Sequence, residues 1–245
     1  RVIFNIQPSY YTSFAFVSDI LEQTRLEKFL NIEDSLLEKT AALNKRIEDK
    51  YKLHFIAEPG TFSHVDDIMN KHRSVIMTPP NIAMSASLDC DKIEPGVYVT
   101  VTGIPDLDEL FAQVEKIGLK IYTNKPEVVK TGVSMSPHVL GHHKVVLHFA
   151  RGGWGAIWSS LLTGVPFITP PYRGKDDPEV FFNNRCLASL GLGKIYQGET
   201  LPDLLLYMEE FKEKAVDTRK YLMEKYGTLN GVKYTAELIA KNFLS

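Results

Sequence analysis

The 245-residue sequence predicts an α/β protein with a doubly wound parallel sheet, preceded by a mostly helical segment. From about residue 95 onward, short β-branched and apolar runs alternate with helical patterns, which is typical of parallel strands joined by helices. Several of these helical patterns end at a glycine, the residue that most often closes a helix. Leu, Glu and Lys dominate the earlier segment 19–53. We therefore expect two parts, residues 1–94 and residues 95–245.

The composition excludes several classes of protein. With 44% hydrophobic and 24% charged residues, the chain is globular rather than disordered or collagen-like. A net charge of −2 argues against a dedicated nucleic-acid-binding protein, and no apolar run reaches the roughly 18 residues of a membrane span. Two cysteines, Cys90 and Cys186, cannot form a disulfide framework, so a cytoplasmic location is expected. Because the chain begins at Arg1, we expect a fragment, a processed product or a trimmed version of a longer protein.

Residues 1–94 are predicted to contain helices, one strand and a linker. Apolar residues recur at helical spacing between residues 19 and 53, and Asn31–Asp34 resembles an N-cap with an acid three residues on. Two helices and one long helix fit this pattern equally well. The apolar run Ser74–Thr78 stops at two prolines, and residues 81–96 have the composition of a linker. We expect the helical face to cover another domain rather than a membrane, because acids are mixed with bases.

The second part is predicted to alternate strands and helices along its length. The predicted strands are residues 97–102, 119–123, 133–135, 145–149, 165–169 and 194–196. The predicted helices are residues 106–116, a helix that follows Gly155 and stops before Gly164, and residues 179–190, 202–214, 216–225 and 232–243. Strands of about five residues between helices indicate a parallel sheet covered on both faces. Such sheets bind ligands beyond the carboxyl ends of their strands.

The run Arg151–Gly155, which contains three glycines, carries the strongest chemical signal. It follows a strand and opens a helix, so the free N–H groups of the first helical turn point at whatever occupies the loop. Glycine leaves no Cβ in the way of an anion, and Arg151 adds a positive charge that suits phosphate. The run matches neither the Walker loop nor the G-x-G-x-x-G fingerprint. A glycine-rich turn of this kind can also serve only close packing.

The run Phe149–Pro166 resembles the nucleotide-sugar signature of GT-B glycosyltransferases, and more specifically of UDP-glycosyltransferases. In that family a strand leads into His-Gly/Cys-Gly-x-Gly/Asn-Ser/Thr, then a helix with a Glu, and then Gly-Val/Ile-Pro. Further similar boxes follow the family's order: the opening strand and loop Val97–Gly103, the Trp/Phe-x-Pro-Gln-like Met135–Leu140, the Asn-Ala-like Phe182–Arg185 and the Leu-Gly-x-Gly run at 190–193. The resemblance covers residues 95–245 and implies a Rossmann-like GT-B C-terminal domain.

The resemblance implies a set of donor-binding residues. The candidates are Thr102, Gly103, Met135, Pro137, His138, Arg151, Gly152, Gly153, Trp154, Gly155, Ala156, Ser159, Asp176, Asp177 and Glu179. Residues 152, 153, 155 and 156 would give backbone N–H groups to the pyrophosphate, which residues 102 and 103 would face. Residues 135, 137 and 138 would lie along the base, and residue 159 near the ribose. One of the three acids would hold the sugar hydroxyls.

Other side chains in this region are expected to be structural. Trp154 and Trp158, four residues apart on the predicted helix, fit packing better than a substrate platform. His148 lies inside a strand and is expected to be a hydrogen-bonded core residue. Cys186, in a helix of apolar and amide residues, is expected to be buried and inert. His142 and His143 have no Cys, Asp or Glu at metal-ligand spacing.

The leading hypothesis is the donor-binding part of an inverting, metal-independent glycosyltransferase, with UDP favoured by family frequency. The nucleotide sugar is then a substrate, and no cofactor is expected. Residues 1–94 are too short for the family's acceptor domain, so that domain or a separate acceptor-domain polypeptide would supply the acceptor site and the catalytic base. Three departures from the family pattern, Arg151 for His, Ser159 for Glu and Met135 for an aromatic residue, leave a non-catalytic binding or regulatory module open. An epimerase of related fold is a third option.

Overall fold

A computed structural model describes residues 10–69, 75–83, 93–100 and 108–244 of the chain. The strands are β1 Tyr10–Ser13, β2 Leu53–Ala57, β3 Val75–Thr78, β4 Gly96–Thr100, β5 Lys120–Thr123, β6 Val133–Ser134, β7 Val145–Ala150, β8 Phe167–Thr169 and β9 Lys194–Ile195. The helices are α1 Val17–Glu27, α2 Asp34–Glu48, α3 Asp66–Met69, α4 Asp108–Lys116, α5 Trp154–Thr163, α6 Pro178–Leu190, α7 Leu201–Tyr226 and α8 Gly231–Leu244, with a 3-10 turn at Pro137–Gly141. This architecture confirms the predicted α/β class.

The larger sheet is parallel and doubly wound. Its strand order within the described residues is β6-β5-β4-β7-β8-β9, and every neighbouring pair is parallel. After β4 the chain moves outward to β5 and β6, then returns to place β7 beside β4 before it moves outward on the other side. The winding direction therefore reverses between β4 and β7, which is the point where doubly wound sheets bind ligands. Val97, Tyr98 and Val99 of β4 are fully buried, as expected for a central strand covered on both faces.

The N-terminal segment was expected to be mostly helical, but beside α1, α2 and α3 it contains a parallel sheet of order β1-β2-β3. Only β3 was expected from the sequence. The helical pattern read as far as residue 53 ends earlier, because α2 stops at Glu48 and Leu53 begins β2. Of the two arrangements left open, the structure has two helices. The first ends at Lys28, whose φ of 53° lies in the left-handed region and turns the chain.

Close contacts join α1 to α2 and bring the last helix back to the N-terminal segment. Glu48, at the end of α2, accepts hydrogen bonds from the backbone N–H groups of Val17 and Ser18, and so caps the first turn of α1. At the other end of the chain, α8 contacts β3. The start of α8 lies so close to this region that a Cβ on Gly231 would come within 2.2–2.3 Å of the carbonyl oxygens of Pro79 and Pro80. The last helix therefore returns to the N-terminal segment.

The predicted helices 202–214 and 216–225 are wrong as two elements, because α7 runs without a break from Leu201 to Tyr226. Ala215, the residue between them, is fully buried and is the best helix former of all residues. Parts of the predicted strand 97–102, helix 106–116 and linker 81–96 lie outside the described residues. Among the residues that are described, no helix combines the length and apolar character that a membrane crossing needs.

Candidate functional site

A cavity of about 250 Å³ opens beyond the carboxyl ends of β4 and β7. It is lined by the last residues of these strands, by the β7–α5 loop and by the first turns of α5 and α6: Thr100, Ala150, Arg151, Gly153, Gly155, Ala156, Glu179 and Val180. Its position is the reversal point of the sheet, where the fold places ligands. Larger cavities lie between α1 and α2 and beside α7, but they contain none of the predicted site residues.

The N-terminus of α5 faces this cavity. Gly153 is its N-cap residue, and no side chain of the described residues caps it. The amide of Gly153 donates to Arg151 O at 2.6 Å and that of Ala156 to Gly153 O at 3.0 Å, so these two predicted phosphate donors already have partners within the chain. The amides of Trp154 and Gly155 belong to the first helical turn, where no preceding carbonyl of the helix can accept from them. They are the donors that this helix end offers to an anion.

The three glycines of the loop have different surroundings. A Cβ on Gly152 would lie 2.1 Å from Asn184 Oδ1, so this glycine is required for close packing. A Cβ on Gly155 would meet nothing within 4 Å, and one on Gly153 would approach only Arg151 O, at 4.0 Å. The close-packing interpretation of the glycine-rich loop is confirmed at Gly152, whereas the phosphate-binding interpretation stays a prediction for the other glycines. Gly152 packs, whereas Gly153 and Gly155 leave open space at the cavity.

Arg151 lies between the cavity and an acidic loop. Its Nη2 atom is 3.4 Å from Asp176 Oδ1 and 3.2 Å from Asp177 Oδ2. Its Nε atom is buried and has no hydrogen-bond partner in the described part of the chain. Asp176 also accepts a hydrogen bond from the backbone N–H of Arg173, which orders the loop. The guanidinium is therefore shared by two carboxylates, both of which contact its Nη2 atom.

Glu179 is the acid of the predicted set that lines the cavity; Asp176 and Asp177 lie beside Arg151. Burial raises the pKa of Glu179 above its ordinary value, the charge of Asp177 raises it further, and Arg151 opposes both effects. A carboxyl group in such a position, partly withdrawn from water, can accept hydrogen bonds from hydroxyl groups of a ligand.

Other predicted residues lie elsewhere. Met135, Pro137 and His138 are on the segment that follows β6 and enters the 3-10 turn, and they do not line the cavity. That turn contacts α5. Ser159 is on α5 one turn beyond Gly155, and its hydroxyl donates to the carbonyl of Gly155 at 2.7 Å. Thr102 and Gly103 lie outside the described residues.

The two tryptophans of α5 are packing residues. Trp154 as a whole residue is 2% exposed, so its side chain offers no surface to a ligand. Its Nε1 donates to Asn183 Oδ1 at 2.8 Å and to Thr61 Oγ1 at 3.1 Å. Trp158 Nε1 donates to Pro59 O at 2.7 Å. The donor-binding role predicted for Trp154 is therefore limited to its main chain.

Two predicted core residues are confirmed as such. His148 is fully buried, with Nδ1 2.8 Å from Ser160 Oγ and Nε2 2.9 Å from Thr100 Oγ1, and burial lowers its pKa to about 3. The thiol of Cys186 is also buried, and burial raises its pKa to about 12. Neither group is charged near neutral pH. Across the described residues, no group of three or more His, Cys, Asp or Glu side chains could hold a metal ion.

Sequence reasoning missed several residues that form the site. Thr100, Ala150 and Val180 line the cavity, and the adjacent amides Asn183 and Asn184 shape the glycine loop from α6. Thr100 and Ala150 could have been found from their positions at strand ends. The asparagine pair was noted only as part of a resemblance. The signal that could have identified it is two successive amide side chains on an otherwise apolar helix face, since buried amides need partners.

The sheet, the cavity at its reversal point and the open end of α5 define a doubly wound α/β protein with a candidate ligand site at the carboxyl ends of its strands. No family model matches the chain, and no curated protein matches it. The Arabidopsis thaliana protein UGT89C1, solved with UDP-L-rhamnose, is 17% identical to this chain, with a TM-score of 0.59. The match covers 97% of this chain and 65% of UGT89C1. The glycosyltransferase SnogD from Streptomyces nogalater is also 17% identical, with a TM-score of 0.54, covering 84% of this chain and 64% of its own.

The spinosyn rhamnosyltransferase SpnG, solved with thymidine diphosphate, is 13% identical with a TM-score of 0.53, covering 94% of this chain and 73% of its own. At these identities the comparisons show the fold. The chain therefore has the GT-B fold of these solved glycosyltransferases. The chain spans about two thirds of the length of the first two proteins, 64% and 65%.

Proposed function

We propose that this chain is the donor-binding part of a glycosyltransferase that moves a sugar from a nucleoside-diphosphate sugar to an acceptor hydroxyl, with inversion. The observation that carries the proposal is the cavity beyond the carboxyl ends of β4 and β7, where the open N-terminus of α5, Arg151 and Glu179 meet. Amide donors and a guanidinium suit a diphosphate, and a carboxyl group suits sugar hydroxyls. UDP is the proposed nucleotide.

The proposed roles follow from these positions. The amides of Trp154 and Gly155 and the guanidinium of Arg151 would stabilise negative charge on the departing diphosphate. Glu179 would accept hydrogen bonds from the sugar. Asp177 competes with the diphosphate for Arg151, to which it is bonded at 3.2 Å. We therefore expect this ion pair to lower the affinity for a free nucleotide.

In the proposed reaction, the acceptor oxygen forms a bond to the anomeric carbon from the side opposite the diphosphate. The bond from that carbon to the diphosphate oxygen breaks, and its electron pair leaves with the phosphate. The acceptor proton passes to a base that we place outside this chain. No metal ion takes part in the proposed steps. Residues 1–94 would be the remnant of an acceptor domain plus a linker, and residues 95–245 the donor domain.

The missing acceptor half is part of the proposal. Leu36, Leu43 and Ile47 of α2 recur along one helix face and are about half exposed, so this face has apolar area available for a further domain or a separate polypeptide. The cytoplasmic location expected from the cysteine content stays a prediction, as does the identity of the acceptor.

Isothermal titration of the chain with UDP, TDP and GDP tests the proposal. We expect one nucleotide to bind with micromolar to sub-millimolar affinity. Gly155→Asp should weaken this binding by about tenfold or more, because it places a carboxylate where the diphosphate would lie, and a side chain there meets no neighbour. Leu206→Asp adds the same charge to α7, at a residue that is 79% exposed, and should leave binding unchanged.

A second variant tests the competition for Arg151. Asp177→Asn should strengthen binding, by at most about fivefold, because an exposed ion pair contributes up to about 1 kcal/mol. If the folded chain binds none of the three nucleotides, the donor-site proposal is wrong. A non-catalytic module that binds without turnover is the alternative function, which the structural neighbours do not favour. Binding without sugar transfer in the presence of the acceptor half would support it.

A further inference from the structure

A loop of the N-terminal segment, residues 58–63, is inserted between α5 and α6 next to the candidate site. Three consecutive residues of this loop, Pro59, Gly60 and Thr61, are held by side chains of those helices. Pro59 O accepts from Trp158 Nε1 at 2.7 Å, Gly60 O from Cys186 Sγ at 3.0 Å, and the Thr61 hydroxyl donates to Asn183 Oδ1 at 2.9 Å. The partners are 99 to 126 positions apart in sequence.

The side chain of Asn183 links this loop to the glycine loop. Its Oδ1 accepts from Trp154 Nε1 at 2.8 Å and from Thr61, and its Nδ2 donates to the carbonyl oxygen of Gly152 at 2.9 Å. An indole N–H is only a donor and a carbonyl only an acceptor, so the amide has one possible orientation. Thr61 and Asn183 are fully buried, and water cannot replace these bonds.

We infer that Asn183 is a positioning residue for the nucleotide site, and that Thr61 of the N-terminal segment holds it in place. The inference rests on the proposed function and deepens it. The bond from Asn183 fixes the carbonyl of Gly152, which precedes the N-cap of α5, and thereby fixes the direction in which the amides of Trp154 and Gly155 point. Gly152 and Gly153 have no Cβ to restrict their backbone, so the loop depends on this outside bond for its shape.

The consequence is that a residue 122 positions away in sequence helps to prepare the phosphate site. If the bond to Gly152 is lost, the loop samples other shapes, and the apparent affinity falls in proportion to the fraction of molecules that keep the binding-competent shape. Asn183→Asp replaces the Nδ2 donor with an oxygen that repels the carbonyl of Gly152. Thr61→Val removes one hydroxyl at nearly constant volume, and with it both the bond to Asn183 and the weaker bond accepted from Trp154 Nε1.

Two readouts on the full chain test the inference. The first is hydrogen exchange of the backbone amides between Gly152 and Ile157, which needs no nucleotide. The second is the dissociation constant for UDP, measured at a temperature where circular dichroism shows each variant to be folded. Trp158→Phe is the matched control, because it removes a bond from the same inserted loop that does not involve Asn183. Thr61→Ser keeps the hydroxyl and is the conservative rescue.

We expect faster exchange in Asn183→Asp and Thr61→Val than in Trp158→Phe, with Thr61→Ser close to the wild type. UDP should bind about tenfold more weakly to Asn183→Asp and about threefold more weakly to Thr61→Val. Exchange and affinity that are the same in Thr61→Val, Asn183→Asp and the control would overturn the inference. If the wild-type chain does not bind UDP, the proposed function fails, and the exchange data alone then decide whether Asn183 positions the loop.

Discussion

Replacing each of the three glycines of the loop by alanine is expected to change the free energy of unfolding by different amounts. In Gly152→Ala the new Cβ would lie 2.1 Å from Asn184 Oδ1. Asn184 cannot move freely, because it is buried and its Nδ2 donates to Pro170 O at 3.1 Å. We expect the free energy of unfolding to fall by about 2–4 kcal/mol, from overpacking of about 1–3 kcal/mol and the loss of one hydrogen bond of about 1 kcal/mol.

Gly155→Ala should instead raise the free energy of unfolding by about 0.4–1 kcal/mol, whereas Gly153→Ala should change it by less than about 1 kcal/mol, because alanine is a poorer N-cap than glycine. Gly153 has φ −98° and ψ 141°, an extended conformation that alanine adopts readily. Gly155 is in the first turn of α5, where alanine is the better helix former, and its Cβ meets nothing within 4 Å. We also expect Gly155→Ala to bind UDP more weakly while it melts at a higher temperature, since the methyl group occupies the mouth of the cavity.

Thermal unfolding followed by circular dichroism measures these effects. For a chain of this size, about 1 kcal/mol shifts the melting temperature by 2–4 °C, so Gly152→Ala should melt roughly 4–16 °C lower. In the Asn184→Ala background the clash is absent, so Gly152→Ala should lower the free energy of unfolding less than it does in the wild type. The two values should differ by at least about 0.5 kcal/mol. A Gly152→Ala variant that melts with the wild type, or costs that simply add, would refute the packing argument.

Three further changes have expected outcomes. Glu48→Ala removes the carboxylate that caps α1 and should lower the free energy of unfolding by about 2–4 kcal/mol in urea titrations, against about 1 kcal/mol for Glu48→Gln. The fold keeps His148 neutral with a pKa of about 3, whereas the unfolded chain takes up the proton below about pH 6.5. His148 therefore makes its full contribution to the free energy of unfolding above about pH 6.5. As the pH falls from 6.5 towards 3, the free energy of unfolding decreases by about 1.4 kcal/mol per pH unit, and His148→Gln should remove this pH dependence. Tyr226→Phe deletes the hydroxyl that donates to Glu58 at 2.6 Å and should lower the melting temperature by roughly 3–8 °C.

The alternation of strands and helices in the second part was predictable because each element has a local signal. Phe167–Thr169 and Gly96–Thr100 are runs of β-branched and aromatic residues, and Gly164 and Gly191 end their helices in the left-handed conformation. Strands β1 and β2 are short, and neither was predicted, although Tyr10–Ser13 also contains aromatic and β-branched residues. Leu53–Ala57 is short, and its apolar residues continue the helical spacing of the segment before it, so the sheet that pairs it with β1 and β3 decides its conformation.

The site was predictable only in part, for a related reason. The position of Arg151 after the end of a strand, and the free space beside Gly153 and Gly155, follow from a strand that leads into a helix. The sequence shows this pattern. The ion pairs of Arg151 with the loop at Asp176 depend on where a distant segment returns to the sheet. The contact between Thr61 and Asn183 joins residues whose spacing carries no periodic pattern. Sequence reasoning finds local geometry, whereas such long-range contacts come from the tertiary fold.

The insertion of residues 58–63 between α5 and α6 sets an order of events during synthesis. Thr61 leaves the ribosome before its partner Asn183, with 122 positions between them, which takes roughly 6–24 s at 5–20 residues per second. During that time α6 has not been synthesised, so the loop cannot pack against it, and one side of the β1–β3 sheet stays uncovered. Newly made chains are therefore expected to need protection from aggregation over this interval, and to become compact only after α6 has emerged.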